Sequence, residues 1–203
     1  MALRLNGSTS GYAAIDAPAV AGNNTLVLPT GNGTSGQVLS TNGAGTLSWS
    51  SVTSSKILQV VNTLKTDAFT TSSTSFVDVT GLSASITPAS SSSKILVFAS
   101  VTLGQPPNNY VLYKLLRGST DIALSTGATS NASGGFYSQD GASGNTMVGT
   151  SVSVLDSPAT TSSLTYKIQL QSSPGSGTAS INRRAADTAF GGVSYITLME
   201  VAP

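Results

Sequence analysis

The side chains of this chain that could act as acids, bases or nucleophile activators are eight carboxylates: Asp16, Asp67, Asp78, Asp121, Asp140, Asp156, Asp187 and Glu200. Histidine and cysteine are both absent. Their absence removes Ser-His-Asp and Cys-His pairs, His- or thiolate-ligated zinc, and the usual proton shuttle of neutral pH. Glycoside hydrolysis needs only two facing carboxylates, but no two of the eight are close in sequence, and Asp140-Gly141 and Asp156-Ser157-Pro158 have the form of turn caps. The glycines open no helix and form no phosphate-binding loop, and no string of alternating Asp marks a calcium loop. The expectation is therefore a chain with no catalytic residue, no metal and no cofactor.

What remains is recognition chemistry. Sugar-binding surfaces combine rings that stack on a pyranose with amides that bond its hydroxyls. Tyr110, Phe136 and Tyr137 flank two soft stretches, Gly104 to Asn109 and Gly127 to Asn145, with Asn108, Asn109, Gln139, Asp140 and Asn145 as polar neighbours. Loops on a rigid scaffold commonly carry binding, so these eight residues are the receptor-facing candidates. The competing reading puts the rings in the core or in a subunit contact, the commoner fate of aromatic side chains.

The elements that position them are strands. Leu164, Tyr166, Ile168 and Leu170 alternate with Thr165, Lys167, Gln169 and Gln171, the period of two of a half-buried strand. Residues 193–201 alternate but are apolar on both faces, which suggests a face that meets another subunit. Lys94 to Leu103 is apolar on both faces as well and suits a central strand covered on both sides. Further strands are expected at 57–64, 76–80, 82–87, 110–117, 121–125, 146–155 and 178–182. Eight to ten strands with no helical period predict an all-β, jelly-roll-like antiparallel β-sandwich over 53–203.

Residues 1–52 differ. Short apolar pieces (Leu3 to Leu5, Tyr12 to Ile15, Thr25 to Leu28, Gln37 to Ser40, Thr46 to Trp49) are separated by Gly, Asn and Pro turn words. Such a segment buries too little apolar surface to fold alone. It reads as an extended β/turn segment completed by partners, with Leu3, Leu5, Tyr12, Ile15, Leu26, Leu28, Leu39 and Trp49 as attachment candidates. Trp49 is expected to anchor this segment on the sandwich.

Composition limits the partners further. With 203 residues the chain has room for one full-sized domain and an appendage. Charged residues make up only 8% and the net charge is +1, so no basic stripe is available for a nucleic-acid backbone. No run approaches the ~18 apolar residues of a membrane span, and Met1-Ala-Leu-Arg-Leu lacks the apolar core of a secretory signal. Neither nucleic acid nor membrane insertion is expected.

The run Ala17-Pro18-Ala19-Val20-Ala21-Gly22-Asn23-Asn24-Thr25-Leu26-Val27-Leu28-Pro29, followed by Gly36-Gln37-Val38-Leu39 and Gly45-Thr46-Leu47-Ser48-Trp49, resembles a segment of fibre and other virion structural proteins of tailed phages, marine ones especially. Ser75-Phe76-Val77-Asp78-Val79-Thr80-Gly81-Leu82, Ser92-Ser93-Lys94-Ile95-Leu96-Val97 and Leu116-Arg117-Gly118-Ser119-Thr120 are similar to C-terminal domains of such proteins. The resemblance implies a homotrimer on the virion, made in the host cytoplasm. Its partners would be its own copies, other capsid or tail proteins, and a host-surface saccharide or protein. It transfers no catalytic residue, and this chain lacks the long shaft of full-length tail fibres. The alternative is a carbohydrate-binding module of an adhesin or secreted enzyme.

Overall fold

Strand-forming alternation dominates the computed structural model, which describes residues 3–6, 9–16, 18–20, 22–52, 56–105, 108–128, 130–137, 146–173 and 177–203. All regular structure among them is β, and the chain divides into two packing units, Met1–Ser54 and Ser55–Pro203.

The first unit contains two hairpins. β1 (Leu3–Asn6) pairs with β2 (Tyr12–Ile15), and β3 (Gln37–Thr41) pairs with β4 (Leu47–Ser51). Asn42 closes the second turn, its Oδ1 accepting from the amides of Ala44 at 2.9 Å and Thr46 at 3.1 Å, as Asx turns do. The apolar piece Thr25 to Leu28 forms a strap with one parallel bridge, Val27 to Thr46. Gly45 makes room for that strap, because a Cβ there would lie 2.2 Å from the Thr25 carbonyl oxygen. No described side chain of this unit is fully buried, in keeping with its shortage of bulky residues.

The second unit is the sandwich. Its strands are β5 (Ile57–Lys65), β6 (Phe69–Thr71), β7 (Val77–Ile86), β8 (Lys94–Gly104), β9 (Tyr110–Arg117), β10 (Thr120–Asp121), β11 (Gly134–Tyr137), β12 (Met147–Asp156), β13 (Leu164–Ser172), β14 (Ala179–Ile181) and β15 (Ser194–Val201). One sheet runs β12-β8-β15-β5, with β14 beside the end of β8 and β6 beside β14. The other runs β7-β13-β9, with β10 and β11 both on the free side of β9. The pairing is nested: β5 with β15, β7 with β13, β8 with β12, and β9 with β10 and β11. A folded-over antiparallel ribbon of this kind is the jelly roll, as the alternation predicts.

Inward residues fill one core: Leu82, Ile95, Val97, Leu103, Tyr113, Leu115, Tyr166, Ile168, Leu170, Ile196 and Leu198 are all fully buried. Each such aliphatic side chain stabilises the fold by about 1.5–3 kcal/mol relative to exposure.

Several expected elements take a different form. The strands expected at 76–80 and 82–87 are the single strand β7, carried past a bulge at which the β13 partner shifts from Ser83 to Asp78. Gly81, at φ +79°, supplies the left-handed turn of that bulge. The strand expected at 121–125 stops after Asp121, while β6 and β11 lie where no strand is expected. β8 is covered on one side only: Ile95, Val97, Ala99, Val101 and Leu103 face the core, whereas Leu96 and Phe98 face outward.

Candidate functional site

The chain enters and leaves the sandwich at one end, where the Ala202 amide donates to the Lys56 carbonyl oxygen at 2.8 Å. β5 runs from there to Lys65, opposite Ser194, and β8 runs the same way to Gly104, opposite Met147. β9 begins at that distal end, and β13 and β7 place Ser172 and Val77 there too.

The receptor-facing candidates that are described gather at this distal end. Asn108 takes up a positive φ of 56° in the turn before β9, followed by Asn109 and Tyr110. Tyr137 sits directly opposite Tyr110, and Phe136 opposite Val111. Cross-strand partners share a face, so Phe136 packs on the core with Val111, while Tyr137 and Tyr110 point outward. Gly134 and Gly135 make this pairing possible, because a Cβ on Gly134 would fall 2.6 Å from the Tyr113 ring and one on Gly135 would fall 2.2 Å from the Val111 carbonyl oxygen. Gln139, Asp140 and Asn145 lie outside the described residues.

Beside Tyr110 the outer face of the five-stranded sheet is hollowed by two depressions. One, of about 500 Å³, is lined by Thr74, Ser75, Phe76, Lys114, Leu124, Ser130, Asn131 and Gln171. The other, of about 270 Å³, is lined by Tyr110, Leu112, Ala128 and Ser130. Ser130 belongs to both. The Lys114 ammonium stands 4.7 Å from the centroid of the Phe76 ring and pairs with Asp121 at 3.1 Å. Gln171 donates through Nε2 to the Thr74 carbonyl oxygen, and the Asn131 side chain, turned with its nitrogen toward them, donates to the carbonyl oxygens of Ser125 and Ala128 at 3.1 and 2.9 Å. Sequence reasoning reaches Tyr110 but misses Phe76, Lys114, Asn131 and Gln171. The available signal is their outward register: Gln171 is opposite Leu112, and Lys114 is opposite Gln169.

Six of the described carboxylates, Asp67, Asp78, Asp121, Asp156, Asp187 and Glu200, are engaged by side-chain partners. Lys167 and Gln169 hydrogen-bond Asp78 and hold its carboxyl below the usual range. Lys65 does the same to Asp67, and Arg184 to Asp187. Burial pushes Glu200 up, but hydrogen bonds from Gln59 Nε2 at 2.6 Å and the Ala89 amide at 2.7 Å outweigh it, and its pKa is lowered. Asp156 accepts both Arg117 and Tyr166. A glycosidase acid needs a raised pKa, and these four shifts all go the other way.

The outer face of the six-stranded sheet carries no charge across its centre, where apolar side chains mix with small hydroxyls and one amide. Leu155, Leu96, Met199 and Val60 stand opposite one another across four strands. The next two rows are Ser153, Phe98, Thr197, Asn62 and Ser151, Ser100, Tyr195, Leu64. Phe98, Tyr195 and Leu155 are 39, 38 and 49% exposed.

Of the attachment candidates, Leu3 and Leu5 lie in β1 and Tyr12 in β2. Ile15, Leu26, Leu28, Leu39 and Trp49 are all exposed. Trp49 is held within its own unit: its Nε1 donates to the Gly31 carbonyl oxygen at 2.7 Å, and its ring lies over Gly33.

No protein-family model matches the chain, and no curated protein matches it. Among solved structures the chain is similar to one of infectious bursal disease virus, Gx strain, at 14% identity and TM-score 0.38, covering 99% of this chain and 50% of that one. It is similar to a Gt-strain structure at 13% identity and TM-score 0.38, covering 98% and 46%. It is also similar to the VP2 subviral particle of the same virus at 12% identity and TM-score 0.36, covering 77% and 40%. The chain thus spans half or less of the length of these chains.

Proposed function

We propose that this chain is a non-enzymatic structural protein of a virus particle, of fibre, spike or decoration type. In this reading it forms a homotrimer on the particle surface, residues 1–52 attach it to capsid or tail proteins, and the sandwich projects and contributes to host adhesion. The observation that carries the reading is the uncharged outer face of the six-stranded sheet. With strands about 4.8 Å apart and residues rising about 3.3 Å, its central part of four strands by three outward rows spans roughly 19 by 20 Å. At roughly 400 Å² per copy this is about half of what one partner contributes to a standard interface, so it forms the centre of a contact that surrounding residues widen. A surface without ionised groups faces a second copy of itself without repulsion and offers a charged partner nothing. The word-level resemblance to virion proteins, the open first unit and the paired state of the carboxylates support the same reading.

Light scattering on the full chain tests it. A mass of three copies is expected, falling to one copy in the Phe98→Lys, Met199→Lys double variant with the β signature of the circular dichroism kept. A monomer at micromolar concentration, or a trimer indifferent to both lysines, would overturn the assembly part of the reading. Imaging of intact particles with this chain located in the map tests the virion part.

A further inference from the structure

We propose that the paired depressions on the outer face of the five-stranded sheet bind a short neutral saccharide. The inference rests on the reading of the chain as a surface protein of a particle and adds the ligand class and the site. Three observations carry it. The first is chemical: an oligosaccharide has apolar ring faces and hydroxyl edges, and the site has both counterparts, Tyr110 in the smaller depression and Gln171, Asn131 and Ser130 in or beside the larger. The second is electrostatic. Lys114, the one cation of the lining, is matched by Asp121, so the site selects neither an acidic sugar nor a phosphate. The third is position, because Tyr110, Gln171 and the turn before β7 lie at the end of the sandwich opposite Lys56 and Ala202. It is the end of the sandwich farthest from the point at which the preceding residues join it. Volumes of about 500 and 270 Å³ lie within and just below the range of small-ligand sites. Shared lining at Ser130 makes them neighbouring subsites. Single sites of this kind bind weakly, and repetition on one particle supplies avidity.

The test is a printed array of neutral and acidic oligosaccharides probed with the full-length protein, followed by titration of the best glycan. Two variants are compared with the wild type: Tyr110→Ala removes the ring, and Ser130→Trp, at an exposed loop position, fills the seam without removing a described hydrogen bond. Binding to neutral glycans is expected, weakened at least tenfold in both variants while light-scattering mass and melting temperature stay unchanged. Glycan binding that survives both substitutions would overturn the site and leave adhesion standing. Binding confined to acidic glycans, or no binding to any, would overturn the ligand class, while the virion role would still be judged by particle imaging.

Discussion

Tyr166 of β13 donates its phenolic hydroxyl to Asp156 Oδ2 of β12 at 2.7 Å, bonding one sheet of the sandwich to the other. Arg117 of β9 completes the cluster, its Nη1 lying 2.7 and 2.6 Å from the two carboxylate oxygens. Tyr166 is fully buried, and Asp156 is 11% exposed in its side chain. Three strands therefore meet on one carboxylate.

Replacing that carboxylate strands its partners. Asp156→Ala leaves a buried hydroxyl and a half-buried guanidinium without an acceptor, and loss of one member of such a group costs about 2–4 kcal/mol. Urea denaturation should show the unfolding free energy falling by that amount. Asp156→Asn, which keeps an acceptor for Tyr166, should fall less. Equal loss in both variants would mean that charge rather than hydrogen bonding holds the cluster.

Alkali should open the sandwich. Burial, and then the hydrogen bond to and the charge of Asp156, push the Tyr166 hydroxyl well above its ordinary value. Burial also raises Tyr113, with a smaller opposing effect from its bond to Thr150. The unfolded chain ionises these phenols first, so their contribution is fully present below the unfolded value of about 10 and is lost as pH climbs toward the folded one. Tyr166 and Tyr113 should titrate late in phenolate absorbance, and stability should fall from about pH 10 upward. Tyr166→Phe should flatten that fall, and an unchanged slope would refute the assignment.

The first unit has its own reporter, because Trp49 is the only tryptophan. A Cβ on Gly33 would lie 2.7 Å from the Trp49 ring, and Gly33 has φ +69°, so alanine there is both crowded and strained. Gly33→Ala should shift the tryptophan emission to the red and leave the melting of the sandwich, followed by far-ultraviolet circular dichroism, unchanged. A fixed emission maximum would show that the ring is not seated on this turn.

Strand alternation made much of the sandwich readable before any coordinates. In β13 the inward set is Leu164, Tyr166, Ile168 and Leu170, and all but Leu164 are fully buried. In β15 the alternation separates inward Ser194, Ile196, Leu198 and Glu200 from outward Tyr195, Thr197 and Met199. Gly81 misled the reading because a left-handed glycine looks the same in sequence whether it ends a strand or bulges one. β11 was hidden because its glycines are demanded by the Tyr113 ring and the β9 backbone, contacts formed only in three dimensions. The larger depression was illegible for a related reason: Phe76, Lys114 and Gln171 come from chain segments far apart in sequence, and only the nested pairing of strands brings them together.

The neighbouring positions of Lys56 and Ala202 have a mechanical consequence. A pull applied between the segment before Lys56 and a ligand at the far end would load β5 along its length. β5 is an outermost strand bonded to β15, and antiparallel ladder bonds run perpendicular to the strands. Such a pull shears the ladder, so its bonds must fail together and cannot unzip in turn. If the residues before Lys56 are what holds this chain, as proposed, the sandwich resists being dragged by them.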